Sequence, residues 1–304
     1  MKKVLIIGGN SYIGNSFVQY IEQLEEKQFL IDKISAKHKE WEQHDFTGYD
    51  TVIHLAGIAH ERETRQNVQL YYRVNRDLAI SVAKKAKKSK VGQFIFMSTA
   101  AVYGSNVSVI MKDTLPQPNT HYGRSKLEAE QKIIDLNNDE FKVAIVRPPM
   151  VYGYGCKGNF GRLVKLAKIT PIFPDIQNKR SMIYIENLCE FLRLLIDQDE
   201  WGYFHPQNEE YICTSEMVRV IGESMGRKIY FTGLFNQGIK LLMKRISSID
   251  KMFGDFIYDR SNINDDLLIH INEIQNNKNI NDSIAKYQIS KFYSSIKKSF
   301  NVRN

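Results

Sequence analysis

The chain begins with a continuous apolar run, "KVLII" at residues 3–7, then "GGNSYIG", then "NSFVQYIEQLEE" with apolar positions at helical spacing. A short apolar run closed by glycines and followed by an amphipathic stretch predicts strand, tight turn and helix. The unit repeats. "DTVIHLAG" at 50–57 precedes a helical region around "LYYRVNRDLAISVAKKAKK", and "QFIFMSTAAVYG" at 93–104 precedes a helix that starts within "NTHYGRSKLEAEQ" at 119–131. "FKVAIVRPPMVYG" at 141–153 supplies another buried strand. Continuous apolar strands alternating with helices predict a doubly wound α/β fold, a parallel sheet covered on both faces. Ligands of such sheets bind beyond the carboxyl ends of the strands.

The first turn has the context of a Rossmann-type phosphate site. Gly8 permits the tight turn and Gly14 permits close packing of helix on strand. The helix amino terminus offers free N–H groups to a pyrophosphate, with Asn10, Ser11, Tyr12 and Ile13 as the remaining contacts. Ser11 stands in place of the middle glycine of the usual pattern and brings a side chain towards the phosphates. The second strand, "FLIDKIS" at 29–35, can be read in two registers. If it ends early, Asp32 takes the acidic place that favours NAD. If it runs to Ser35, Lys37 and Lys39 lie where a 2'-phosphate sits, and NADPH is favoured. The second register is preferred, so the expected cofactor is NAD(P)(H), leaning to NADPH.

Candidate chemistry lies at the end of the strand at 93–97, where Ser98 and Thr99 bring hydroxyls to the nicotinamide edge. Tyr122 and Lys126 follow on the next helix, one turn apart and so on one face. A free tyrosine has a pKa of about 10, so proton transfer near neutrality needs a cation to stabilise the phenolate. Lys126 can do this while bonding the nicotinamide ribose, Thr99 can hold the substrate oxygen, and Tyr122 can exchange its proton as hydride moves. The same tyrosine–lysine spacing recurs at Tyr287 with Lys291 and at Tyr293 with Lys297, but no buried strand precedes either pair.

Composition narrows the partners. At 304 residues and 43% hydrophobic, the chain can bury a large core. No stretch approaches the roughly twenty apolar residues of a membrane helix, and "MKKVLIIGGN" is too short for a signal peptide, so no stable membrane insertion and a cytoplasmic location are expected. Cys156, Cys189 and Cys213 have no pairing or zinc-like spacing, and seven histidines, His54 and His60 among them, give no metal-ligand set; no metal is expected. The net charge of +8 is scattered in clusters such as "KKAKKSK" at 84–90, the pattern of a solvated helix face, so nucleic acid is not the expected partner. A positive field suits an anionic small molecule. The stretch 235–259 mixes apolar and basic residues in a way that fits an anionic surface, and a helix of a substrate region explains it equally.

Together, "GGNSYIG", "HLAG", Asn75 in "YYRVN", "STAAVYG", "YGRSK", "RPPMVYG", "GNF" and "KRSMIYIENL" make residues 1 to about 200 resemble the extended short-chain dehydrogenases/reductases, the nucleotide-sugar epimerase, dehydratase and reductase group. The resemblance implies that Thr99, Tyr122 and Lys126 are catalytic. It implies that Ser35, Lys37, Leu55, Ala56, Gly57, Asn75, Ser98 and Pro148 join the cofactor site, and that Ala100, Asn159 and Arg180 join Thr99 and Tyr122 against the substrate. It also implies a homodimer through the helices beginning near Tyr71 and Tyr122. The organisation expected is a Rossmann domain over 1–155 with a returning segment around 178–207. A substrate-binding region at 156–177 and 208–304 would end in a poorly ordered tail, where the closing "GW" of the family is missing.

"FKVAIVRPPMVYG", "GNFGRLVKLAK" and "KMFGDFIYD" resemble the branch serving bacterial capsule and O-antigen synthesis. That branch reduces the 4-keto group of a UDP-2-acetamido-2,6-dideoxyhexose, giving UDP-N-acetylfucosamine or UDP-N-acetylquinovosamine. The alternative is a 4-epimerase of UDP-glucose or UDP-N-acetylglucosamine type. A third, a non-catalytic dinucleotide sensor, characteristically lacks the tyrosine or the lysine, and this chain has both.

Overall fold

The computed structural model describes residues 1–259 except 26–28, 38, 39, 60, 62 and 157. Lys39, His60 and the pairs at Tyr287 and Tyr293 therefore lie outside the described residues. The first half runs β1 (Lys2–Ile7), α1 (Tyr12–Glu22), β2 (Phe29–Ile34), α2 (Glu40–Gln43), β3 (Thr51–His54), α3 (Val68–Tyr71), α4 (Leu78–Lys88), β4 (Gln93–Met97), β5 (Val109–Ile110), α5 (His121–Ile134) and β6 (Lys142–Val146). The second half runs β7 (Met150–Tyr152), α6 (Asn159–Ile169), β8 (Ile172–Pro174), β9 (Met182–Tyr184), α7 (Ile185–Asp197), β10 (Gly202–Phe204), α8 (Thr214–Ser224), β11 (Tyr230–Thr232), α9 (Asn236–Met243), α10 (Ser247–Phe253) and β12 (Ile257–Tyr258).

Six strands form one parallel sheet in the order β10-β6-β4-β3-β1-β2. Because side chains alternate across a strand, β1 sends Val4 and Ile6 to one face and Leu5 and Ile7 to the other. The first pair packs with Phe17 of α1 and Phe191, Leu192 and Leu195 of α7; the second packs with Val82 and Ala83 of α4 and Ala129 and Ile133 of α5. All twelve of these side chains are buried, six in each layer, which is why the strands read as apolar at every position. A Rossmann-type doubly wound sheet is the result. The segment β9–α7–β10 returns to it, with β10 paired to β6.

A separate apolar cluster includes Phe160 and Leu163 of α6, Phe173 of β8, Met217 and Ile221 of α8 and Phe253 of α10. It is stitched by short parallel pairs, β7 with β9 and β8 with β11.

The helical region at 70–88 is one run in which α3 passes through a wide turn, Tyr72–Asp77, into α4, with Leu78 N–H bonding the Arg73 carbonyl five residues back. Such π segments cluster at functional sites, and Asn75 sits within this one. The basic run at 84–90 is partly occupied at home: Lys85 Nζ bonds the Trp41 and Glu42 carbonyls, and Lys87 Nζ bonds that of Leu136.

Candidate active site

The first turn closes as its glycines require. Gly8 has φ +82°, and a Cβ there would lie 2.7 Å from the Ala56 nitrogen; a Cβ on Gly14 would lie 2.7 Å from the Gly9 carbonyl oxygen. The turn after β1 is thus pressed against Ala56, just past β3, and helix α1 against the turn. Ser11 behaves differently from the sequence expectation. Its Oγ folds back to accept from Gly14 N–H at 3.1 Å, capping α1, because an extended serine ahead of a helix satisfies an orphan donor. Asn10 is exposed at the turn, Tyr12 is partly buried, and Ile13 packs on the core beneath.

β2 runs to Ile34, whose carbonyl accepts from Gly8 N–H at 2.9 Å, so the strand end stands level with the turn. Asp32 sits two residues earlier, opposite Leu5, and its carboxylate accepts from the Tyr49 hydroxyl at 2.6 Å with Lys3 Nζ at 3.8 Å. Ser35 and Lys37 follow the strand end, with Lys37 N–H bonding Ser35 Oγ at 3.0 Å.

At the end of β4, Ser98 N–H bonds the Val146 carbonyl and Ala100 N–H bonds the Pro148 carbonyl, which holds Thr99, Ala100 and Pro148 at one sheet edge. Thr99 is extended and its Oγ1 caps the following turn through Ala101 N–H. Burial, the larger influence, holds the pKa of the Tyr122 phenol above the ordinary value, with Thr99 beside it acting in the lowering direction. The Tyr71 ring meets Tyr122 edge-on at 6.4 Å.

Lys126 is buried, and its Nζ donates to the Met97 carbonyl at 2.8 Å while lying 4.6 Å over the Phe96 ring centroid. Desolvation lowers its pKa to about 8, with Glu130 opposing. The ammonium expected to lower the tyrosine is here held by the strand end, and the group that acts to lower Tyr122 is Thr99.

A Cβ on Gly57 would lie 3.1 Å from Asn75 Oδ1 and 3.3 Å from Lys126 Nζ, so Leu55–Gly57, Asn75 and Lys126 converge. Asn75 is wholly buried; its amide accepts from Ile58 N–H at 2.7 Å and donates to the Ile58 carbonyl and Ser125 Oγ. Its three bonds clamp the loop after β3 onto α5.

The Ser98 hydroxyl, expected to face the cofactor, instead donates to the buried Glu130 carboxylate. Glu130 in turn pairs with Arg147 at 2.6 Å, and Arg147 Nη1 donates to the Tyr103 hydroxyl at 2.7 Å. That hydroxyl meets His205 Nε2 at 2.7 Å; burial and the Arg147 charge drop the His205 pKa to about 3, so the ring is neutral. None of these partners was anticipated. The available signal was Glu130 itself, one helical turn beyond Lys126 on the inward face of α5.

Glu63 was also missed. Its carboxylate accepts from Tyr122 N–H at 2.9 Å while Thr120 caps Gly123 N–H, and together they secure the first turn of α5. Asn159 is an exposed first residue of α6, and Arg180 is partly buried with Nη1 on the Gly254 carbonyl at 2.7 Å. Among the described residues, no group of three or more His, Cys, Asp or Glu could hold a metal.

This arrangement, a glycine turn under a helix amino terminus and a Thr–Tyr–Lys set at the adjoining strand end, has a counterpart in known sequences. A family model described as NAD dependent epimerase/dehydratase family matches residues 4–203. The chain belongs to that family. The membership agrees with the extended short-chain dehydrogenase/reductase resemblance of its motifs. A UDP-glucose 4-epimerase of Vibrio cholerae is 34% identical over 187 residues, covering 58% of this chain and 57% of that protein. An N-acetyl-alpha-D-glucosaminyl-diphospho-ditrans,octacis-undecaprenol 4-epimerase of Escherichia coli O157:H7 is 27% identical over 245 residues, 74% of this chain and 73% of that one. A solved human epimerase family protein with NADPH superposes with a TM-score of 0.69 at 13% identity, over 97% of this chain and 98% of that one, and so shares the fold.

In family terms, the residues present fit a dinucleotide. Gly8, the α1 amino terminus and Ala56 form the cradle that a Cβ would fill, and Gly57 leaves room next to Lys126.

Proposed function

We propose that the protein is an NAD(P)-dependent oxidoreductase acting at C4 of a UDP-sugar. The reaction proposed is reduction of a UDP-2-acetamido-2,6-dideoxy-hexos-4-ulose to UDP-N-acetylfucosamine or UDP-N-acetylquinovosamine. The observation that carries this reading is the Thr99–Tyr122 hydroxyl pair at the carboxyl end of β4, with Lys126 in the same pocket wall. A nicotinamide cofactor, when bound, supplies the hydride. Tyr122, whose raised pKa keeps it protonated near neutrality, gives its proton to the C4 oxygen. Thr99 orients that oxygen, and Lys126 holds the ribose and counters the charge left on the phenol. Ala100, Asn159 and Arg180 are the proposed further contacts to substrate, in a region formed by 156–177 and 208 onward. Leu55, Ala56, Gly57 and Pro148 line the cofactor.

The position of Asp32 supports NADPH. Its carboxylate is held by Tyr49 and Lys3 before the strand ends, leaving Ser35 and Lys37 beside the turn. The working unit proposed is a cytoplasmic homodimer through the faces of α4 and α5.

A 4-epimerase is the second reading, supported by the names of both curated relatives. The same residues would then move the proton both ways. The two separate on mixing purified protein with NADPH and the 4-keto sugar: the first reading expects NADPH absorbance to fall one-for-one with keto sugar. Interconversion of UDP-glucose or UDP-N-acetylglucosamine with its C4 epimer, without net cofactor change, would replace it by the second. Dinucleotide binding with neither conversion would leave a sensor.

A further inference from the structure

Helix α9 has no buried residue, yet it is rich in apolar side chains. Its inner side is explained: Ile239 and Met243 pack on the cluster beneath, and Asn236 Nδ2 bonds the Asp175 carbonyl. The outer side is not. Leu234 is 87% exposed, Leu241 60% and Phe235 54%, with Leu242 and Ile246 exposed beside them. Leu234, Phe235, Leu241, Leu242 and Ile246 thus leave the solvent side of α9 and both its ends apolar, while Ile239 and Met243 turn inward. The strand pair before the helix ends the same way, with Ile172 and Tyr230 opposed across β8 and β11 and both exposed.

Charge identifies what this stripe fits. Between Glu223 and Asp250 there is no acidic residue, but five basic ones, Arg227, Lys228, Lys240, Lys244 and Arg245, all exposed. A second copy docked by two-fold symmetry would set these cations against themselves. Residues 260–304 carry seven basic against four acidic side chains, which adds no net negative charge to the patch. An apolar stripe beside five exposed cations is the composition of a helix lying in the plane of an anionic bilayer, aliphatic side chains at the acyl boundary and ammonium groups among phosphates. No described helix is long and apolar enough to cross a membrane.

We propose that α9 with its flanks Leu234, Phe235, Lys244, Arg245 and Ile246 is a peripheral docking surface for anionic phospholipid membranes. The surface is separate from the Thr99–Tyr122 site, and the proposal stands whichever C4 reaction the protein performs.

The test is co-sedimentation of the full chain with vesicles of phosphatidylglycerol and phosphatidylcholine, against phosphatidylcholine alone. Binding to the anionic vesicles that weakens with salt is expected. The triple variant Lys240→Ala, Lys244→Ala, Arg245→Ala should lose about a hundredfold in partition, each cation contributing about fivefold near the surface. Leu234→Ser with Leu241→Ser and Leu242→Ser should lose binding comparably with an unchanged unfolding temperature, since the side chains removed are already exposed. Failure to bind anionic vesicles, or equal binding by the variants, overturns the proposal. So does a serine variant that turns a dimer into a monomer in light scattering, which would make the stripe an interface between copies.

Discussion

Glu130 and Arg147 form an ion pair of 2.6 Å that is almost wholly buried, directly behind the strand end that carries Thr99. With Ser98 donating to Glu130 and Arg147 donating to Tyr103, the pair ties α5 to the ends of β4 and β6. Removing one partner strands the other charge away from water. Glu130→Gln is expected to cost about 3–5 kcal/mol of stability, read by urea unfolding. Replacing both residues together, Glu130→Gln with Arg147→Met, should cost less than the two single changes summed. Equal loss in the double and summed singles would mean the groups act independently.

Tyr122→Phe keeps the ring against Tyr71 and removes only the hydroxyl beside Thr99. Turnover with the sugar substrate should fall by about a hundredfold to ten-thousandfold with cofactor affinity nearly unchanged. Tyr287→Phe and Tyr293→Phe, assayed alongside, should match the parent. Full turnover in the Tyr122 variant would remove the proton-transfer role.

Lys126 gives a signature in pH. Its pKa falls from 10.5 to about 8 in the fold because burial penalises the ammonium. The folded state therefore binds fewer protons than the unfolded state between those values, and the contribution of this residue to stability rises as pH climbs from about 8 towards 10.5. Below about 8 both states are protonated and the penalty is constant. The difference in unfolding free energy between the parent and Lys126→Met should drift in the parent's favour across that window. Turnover should decline over the same rise, as the cation is lost, and Lys126→Met should weaken both turnover and cofactor binding.

The cofactor cradle makes three expectations that titration of fluorescence with NADPH and NADH can check. Gly14→Val should abolish binding of both, because even its Cβ meets the Gly9 carbonyl. Lys37→Ala should weaken NADPH by about one opposite-charge contact, on the order of tenfold, and leave NADH unchanged. Asp32→Asn should leave the NADPH-to-NADH ratio where it is, since that carboxylate serves Tyr49. A large gain in NADPH preference in the Asp32 variant would return the acidic residue to the cofactor.

The amino-acid pattern alone determined the layered sheet. Val4 to Ile7 are apolar at every position because helices cover both faces, and a run of that kind has no other stable setting in water. Gly8 and Gly14 were legible for a similarly local reason: a positive φ and a backbone approach that no side chain tolerates leave glycine as the residue that fits. Tyr122 and Lys126 were legible because helical spacing puts them on one face. The partners of those groups were not. Whether Ser98 turns to a cofactor or to Glu130, and whether Lys126 meets a phenol or the Met97 carbonyl, depends on side chains brought together from β4, α5 and β6. Likewise the register of "FLIDKIS" stayed open along the chain. The hydrogen bond from Gly8 to the Ile34 carbonyl set the strand end, and the hydroxyl of Tyr49, seventeen residues on, claimed Asp32. Contacts between residues far apart in sequence are selected by the free energy of the whole packed chain, so the tertiary structure decided them.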